Sequence, residues 1–409
     1  MKHSLTATLW NGVDYRALST LDWHDDGIDG EIDAVRTGDA GTGIRMPGET
    51  GDYSIIPGLI DTHVHLVGNA AATPADFLTW PLTTRPEEQT LHGLAHAVEA
   101  MQGGVTTVRD LAADDIQFSL RRAIDAAVVT GPRMLAYGVV NMTAGHSDLF
   151  IPPAVALRKP VADGPDACRA LVRHWARSGT DGIKIPVSGG VLSVGDKSAW
   201  RNYTRAEIAA IVDEAHAFGM LVAAHAHTEA GIQVALEEGI DSIEHGTLMS
   251  AHQATAIAAK GLTVAPTLLI NERIAAGQNG VSPAQSEKAQ ELVANRNRLM
   301  RVAADAGVDF VLGTDANGHH VKFGDQMEEV RLMAAIFGWS AERALQAATS
   351  RAASAIGRAS TVGTLAEGRP ADFLVMRGRP WQNIDDLRLE NLVAVVSRGR
   401  VVAGALPAE

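Results

Sequence analysis

From Gly58 to about Thr349 the chain repeats one pattern: a short apolar run, a polar loop, then a helical stretch. Eight runs read as strands: Gly58–His65, Val105–Leu111, Arg133–Val140, Gly182–Val187, Leu221–His227, Ser242–His245, Leu262–Leu268 and Asp309–Asp315. Helical stretches are expected at Glu87–Met101, Ile116–Val129, Asp166–Arg177, Arg205–Phe218, Thr228–Glu238, His252–Lys260 and Glu287–Asp305. Two more, near Gln326–Ile336 and Ala341–Thr349, follow the last strand. Gly219, Gly239, Gly261 and Gly307 stand just past helix ends, where a left-handed cap favours glycine. Several strands are apolar on both faces, as expected when helices cover one side and a core fills the other. The pattern predicts an α/β fold, a (β/α)8 TIM barrel. An open doubly wound sheet competes, but the polar residues of interest come from many strands and not from one switch point.

The two ends differ from the middle. Leu5–Leu9 and Glu31–Val35 read as short β pieces, and the Gly- and Asp-rich stretch Gly38–Gly51 reads as loop. Its loose G-x-x-G-x-G spacing lacks the strand and helix that a phosphate loop needs. β-like runs return at Ala371–Arg377, Leu392–Val396 and Val401–Val402. The expectation is a composite β-sandwich domain from residues 1–57 plus 361–409, beside a barrel domain of residues 58–360.

Composition narrows the partners. Lys plus Arg number 35 and Asp plus Glu 48, so the net charge is −13. With no basic block, a nucleic-acid or anionic-membrane surface is not expected. Cys168 is the only cysteine, which rules out an internal disulfide and fits a reducing compartment. No apolar stretch reaches about 18 residues, so no membrane span is expected. Asn11, Asp14 and Arg16 interrupt any leader-like apolar core near the start. These features predict a cytoplasmic homo-oligomer acting on a small-molecule substrate.

The chemistry lies in the histidines, of which there are 15. His63 and His65 sit two apart in a strand and so face one way. Alone, that pair suits either a divalent metal or two hydrogen-bonded core imidazoles. The fifth strand ends in His225-Ala226-His227, the sixth in Glu244-His245, and the eighth in Asp315. Carboxyl ends of barrel strands converge on one volume. Five histidines and an aspartate in an apolar barrel would be costly unless ligated, which favours metal. Lys184 lies between isoleucines in the fourth strand. Burial makes such an amine easy to neutralise, and a neutral amine can add carbon dioxide to form a carbamate. A lysine paired with Asp181 or with substrate is the other option. His92 and His96 are four apart on an outer helix and read as a solvated face.

The string from Pro57 to His65, the strand-four lysine, His225, Ser242-Ile243-Glu244-His245-Gly246-Thr247 and Gly313-Thr314-Asp315-Ala316 resemble the amidohydrolase superfamily. The end segment Gly363–Phe373 extends the resemblance over nearly the whole chain. Within the superfamily the chain is most similar to the imidazolonepropionase-like and prolidase-like branch. That branch includes metal-dependent dipeptidases, carboxypeptidases and hydrolases of phenylureas and other xenobiotics. The resemblance implies that His63 and His65 bind a more buried metal and His225 and His245 a more exposed one. It implies that Lys184, carboxylated by CO2, bridges them with a hydroxide. Asp315 would bind the buried metal and handle the proton. Zinc is the default ion for His-rich sites. Pro186 departs from the string usual after the lysine, and Ala144 replaces the first of a glycine pair.

A second donor should hold the developing oxyanion, and His146 is the candidate. His227 points with His225 by strand alternation and is expected to line the substrate pocket. Tyr203 and Arg201 are expected near a substrate carboxylate, the former by resemblance. His319, with His320, follows Asp315 in a mouth loop and could meet substrate. The expected activity is hydrolysis of a C–N bond in an amide, dipeptide, N-acyl amino acid, urea or carbamate. A mononuclear cyclic-amide hydrolase or deaminase is the enzymatic alternative, against which Lys184 discriminates. A non-catalytic metal-dependent binding protein is the other, and it would need no proton shuttle such as Asp315. The absence of a G-x-S-x-G elbow argues against a covalent serine mechanism.

Overall fold

The computed structural model describes residues 1–38, 44–45, 52–68, 79–152, 154–156, 159–193 and 195–406. Eight parallel strands run in chain order through one curled sheet: Leu59–Val64, Val105–Ala113, Arg133–Val139, Gly182–Pro186, Leu221–Ala226, Ser242–His245, Thr263–Ala265 and Asp309–Phe310. Leu59–Val64 and Gly182–Pro186 are buried at every position, the polar Asp61, Thr62, His63 and Lys184 included. Backbone bonds also join the first strand to the segment after the eighth. Thr62 N donates to Leu312 O at 2.9 Å, Asp315 N to His63 O at 2.8 Å, and His65 N to Ala316 O at 2.8 Å. The first and last members of the sheet therefore meet at the level of the predicted metal ligands.

Local signals account for most helices. Thr204 and Glu207 form a capping box at the start of Arg205–Ala217, and Ser250 and Gln253 do the same for Ala251–Lys260. The four glycines expected past helix ends all have positive φ, Gly261 at 67° and Gly219 at 71° among them.

Several expectations need correction. The eighth strand, expected to reach Asp315, stops at Phe310. The seventh strand ends at Ala265, because Thr267 turns left-handed (φ 46°) and Leu268 opens an unforeseen helix, Leu268–Ala275. The helix expected over 287–305 is two, Pro283–Val293 and Arg296–Asp305. Fully buried Arg296 pins the second by donating to Leu268 O at 3.0 Å and Glu272 Oε1 at 2.6 Å.

The chain ends build a separate, mainly antiparallel sheet. Its path runs Arg400–Gly404, Leu392–Ser397, Phe373–Arg377, Tyr53–Pro57, Lys2–Trp10, Tyr15–His24 and Ile32–Thr37. Both ends share one apolar cluster that includes Leu5, Trp23, Ile55, Phe373 and Val396. Trp23 stitches them further, donating from Nε1 to Gly399 O at 2.9 Å. Most of the loop expected at 38–51 lies outside the described residues; Ile44–Arg45 pairs in parallel with Leu5–Thr6. Among the described residues no helix is long and apolar enough to cross a membrane.

Candidate metal centre

Two sets of donors face each other at the carboxyl ends of the parallel strands. His63, His65 and Asp315 form one; His225, His227 and His245 form the other; within each set the donor atoms lie within 4.8 Å of one another. In the first set, Asp315 Oδ1 is 2.9 Å from His65 Nε2 and 3.6 Å from His63 Nε2. In the second, His245 Nε2 is 2.9 Å from His225 Nδ1. Two ring nitrogens pointing at each other can share at most one proton, which a cation bound between them would replace.

Fixed partners hold the rings by their other nitrogens, as is usual around a metal. His245 Nδ1 meets Thr267 Oγ1 at 2.7 Å and His227 Nδ1 meets Thr247 Oγ1 at 2.8 Å. His63 Nδ1 faces Glu244 Oε2 at 2.8 Å. Arg109 steadies that glutamate from the second strand, with Nη2 2.8 Å from Glu244 Oε1 and Nε donating to Thr62 O at 2.6 Å. Burial pushes the Glu244 carboxyl up, but Arg109, then His63 and Lys184, hold it well below the usual range. Asp61 ties the first strand to the last, accepting from His63 N at 3.1 Å and Thr314 Oγ1 at 2.6 Å.

Two of these donor residues have strained backbones: His245 has φ 72° and Asp315 φ 58°. Left-handed conformations are costly for non-glycine residues and cluster at functional sites. The Thr267 turn is held from below, since Glu329 accepts from Leu268 N at 2.7 Å and Leu269 N at 2.8 Å.

Lys184 is buried beside both sets. Its charge is felt by His63, His225, His227, His245 and Asp315. Burial is the main cause that lowers its amine to about 8, while Glu244 and Asp315 oppose the shift. Asp181 does not pair with it; that carboxylate binds Arg121 and the Ala136 amide. The amidohydrolase family model matches residues 54–404, across this whole arrangement.

The chain belongs to the amidohydrolase family.

Ochratoxinase of Aspergillus niger is 30% identical over 368 residues, covering 84% of this chain and 74% of that protein. Imidazolonepropionase of Deinococcus radiodurans is 26% identical over 379 residues, 85% of this chain and 84% of its own. The crystal structure of a Xaa-Pro dipeptidase with methionine bound in its active site matches with a TM-score of 0.87. Its identity is 30%, over 98% of this chain and 99% of that one. This amidohydrolase is therefore a hydrolase acting on carbon–nitrogen bonds. Amidohydrolases generally use divalent metals, and the two donor sets are where this one could hold them.

The remaining predicted residues divide. His146 joins the site: its ring stacks on His225 with centroids 4.4 Å apart. His227, expected to line the pocket, sits within the second donor set. Tyr203 is buried in the main core, with its hydroxyl beside Cys168, so the structure does not bring it to the cluster. Arg201 is exposed and pairs its backbone with Ser188. His319 directs Nε2 to Asn279 O at 3.0 Å. Half-buried His96 departs from the solvated-face reading, because its Nδ1 meets Leu66 O at 2.7 Å and its ring stacks on Phe323.

In this amidohydrolase burial favours the neutral form of two buried imidazoles: His63 is lowered to about 4 and His227 to about 3. An unfolded histidine titrates near about 6.5. Between about 6.5 and about 4 the unfolded chain binds protons the fold refuses, so stability rises with pH through that window. After chelation, the Tm is expected to fall from about pH 7 to about pH 5. A Tm that is flat or higher at the lower pH would count against neutral burial.

Proposed function

We propose that this amidohydrolase is a binuclear metal-dependent enzyme that hydrolyses an amide-type C–N bond, with Lys184 carboxylated between two divalent ions, zinc by default. The observation that carries the reading is the pair of three-donor sets on either side of buried Lys184. One ion would leave the other set of buried ring nitrogens without a cation, which weighs against the mononuclear alternative. We read the bonded first and last strands as a closed (β/α)8 barrel of residues 58–360, with a composite β-sandwich from residues 1–57 and 361–409.

His63, His65 and Asp315 would hold the first ion, and His225 with His245 the second, with His227 within reach. Bound there, two divalent cations supply an activated water nucleophile and polarise a carbonyl. Asp315 takes the proton of that nucleophile and delivers it to the leaving nitrogen. His146 donates from Nε2 to the developing oxyanion. That requires protons on both its ring nitrogens, and Asp196, with Oδ2 3.3 Å from Nδ1, supplies the counter-charge. Glu244 and Arg109 keep His63 in place without touching substrate.

Similarity to an ochratoxinase and to a Xaa-Pro dipeptidase favours amide bonds over ureas and carbamates. With zinc supplied, dipeptides or N-acyl amino acids should be turned over faster than aryl ureas and carbamates in one panel. Turnover confined to ureas or carbamates would overturn the amide preference. Turnover of none of the panel, by protein shown to hold zinc, would overturn the reading.

A further inference from the structure

Helix Pro283–Val293 lies outside the metal centre, yet it grips the loop that holds His146. Half-buried Lys288 places Nζ within hydrogen-bond distance of three carbonyl oxygens: Gly190 at 3.1 Å, Ser193 at 3.2 Å and Asp196 at 3.2 Å. An ammonium has three donors, so this arrangement uses every one on the same loop. Gln285, one turn earlier, donates to Leu192 O at 2.8 Å. A long flexible side chain loses considerable freedom in such an arrangement. No carboxylate oxygen accepts from this ammonium among the described residues; its three bonds go to backbone carbonyls, and the nearby Asp196 charge favours it.

The gripped loop fixes the His146 ring. Ser193 Oγ lies 2.9 Å from His146 Nδ1 and itself donates to Asp196 Oδ2 at 2.7 Å. Gly190 N also donates to that oxygen, at 2.7 Å. A carboxylate can only accept, and the serine hydrogen is already committed to it. Nδ1 therefore carries a hydrogen, and Nε2 is the atom left for substrate. The ring is also pressed close: a Cβ on Gly190 would stand 2.0 Å from His146 Cε1. From the far side His225 stacks on it.

We propose that Lys288 is a positioning residue for His146, acting at a distance by fastening the loop whose Ser193 and Asp196 fix the imidazole. The inference rests on the reading that His146 serves the reaction, and the test separates the two. Lys288→Met keeps most of the side chain's bulk and removes all three donors. Lys288→Arg keeps the charge and some donors. Both are made in the metal-loaded enzyme, alongside His146→Ala and the double variant His146→Ala/Lys288→Met. The assay uses the fastest dipeptide or N-acyl amino acid of the panel, with zinc content and Tm measured in parallel.

Misplacing a reacting group by a fraction of an ångström to an ångström can cost up to about 100-fold. Lys288→Met should accordingly lose about 10- to 100-fold in kcat with zinc content unchanged, and Lys288→Arg should recover part of it. In the His146→Ala background the same substitution should change kcat less than about twofold, since its effect runs through a ring no longer present. A proton NMR signal from Nδ1–H, assigned by its loss in His146→Ala, should shift or exchange faster in Lys288→Met. An equal loss in both backgrounds would overturn the inference and leave the role of His146 standing. So would a wild-type kcat together with an unmoved Nδ1–H signal in Lys288→Met. A wild-type kcat in His146→Ala would instead overturn the role of His146, and the inference with it.

Discussion

Replacing Lys184 with Ala should abolish most of the activity and most of the metal together. The electrostatic influence of Lys184 reaches both donor sets. As a carbamate it would offer two anionic oxygen donors to the metal centre. As an ammonium it would repel both ions, and burial has already brought the amine down to about 8. Its truncation leaves a space lined by imidazoles with nothing negative between the two sites. The expected loss in kcat is at least about 100-fold, because the reacting atoms are no longer organised, and zinc content should fall in step. Small additives distinguish the chemistry of the missing group. Formate or acetate has two oxygens of the right kind and should restore part of the activity to Lys184→Ala, whereas methylamine should not. Rescue by the amine alone would show that an unmodified lysine did the work.

The second large effect concerns Asp315. Asn at this position keeps the size and one oxygen but cannot accept a proton. His63 and His65 remain, so zinc binding should weaken only modestly. Loss of general acid–base catalysis typically costs about 10²–10⁴-fold, and kcat should fall by that much. Burial raises the Asp315 carboxyl, but His63, His65 and Lys184 outweigh it and bring it to about 2. A group that acidic is a poor base near neutrality. On the proposed reading, carboxylation of Lys184 would change this, because it would remove one of the cations that stabilise the aspartate and put an anion in its place. The two predictions are thus linked: the proposed lysine modification would both supply oxygen donors for the ions and strengthen the base. Wild-type kcat should rise along an acidic limb that reflects the whole coupled site, and that limb should vanish or move in Asp315→Asn. Retention of more than about a tenth of wild-type kcat, well outside the usual range, would make Asp315 a ligand only. His146 and His227 would then be the shuttles to test.

Much of this was legible in the residues because alternation and strand ends are local rules. His225 and His227 do share a face, with ring centroids 4.7 Å apart, and so do His63 and His65, at 5.2 Å. The strand-four lysine is buried where its isoleucine neighbours indicated. What stayed hidden depends on contacts distant in sequence. Glu244 was read only as part of a motif, although a buried carboxylate one residue from a ligand was a usable signal. Its partner Arg109 stands 135 residues away, in another strand. Asp196 gains its role from a histidine 50 residues earlier in the chain. The Thr267 turn was missed because threonine rarely adopts positive φ; tertiary bonds from Glu329 to Leu268 and Leu269 override that preference. Tyr203 was placed near a substrate carboxylate by resemblance, but it is buried in the core beside Cys168.

The binuclear centre is tested most directly by counting. The chelated protein is titrated with zinc in the presence of bicarbonate, and hydrolysis of the best amide substrate is followed at each addition. Activity should rise to a plateau at about two equivalents per chain, the number a shared nucleophile requires. A plateau at one equivalent, or full activity with none, would contradict it.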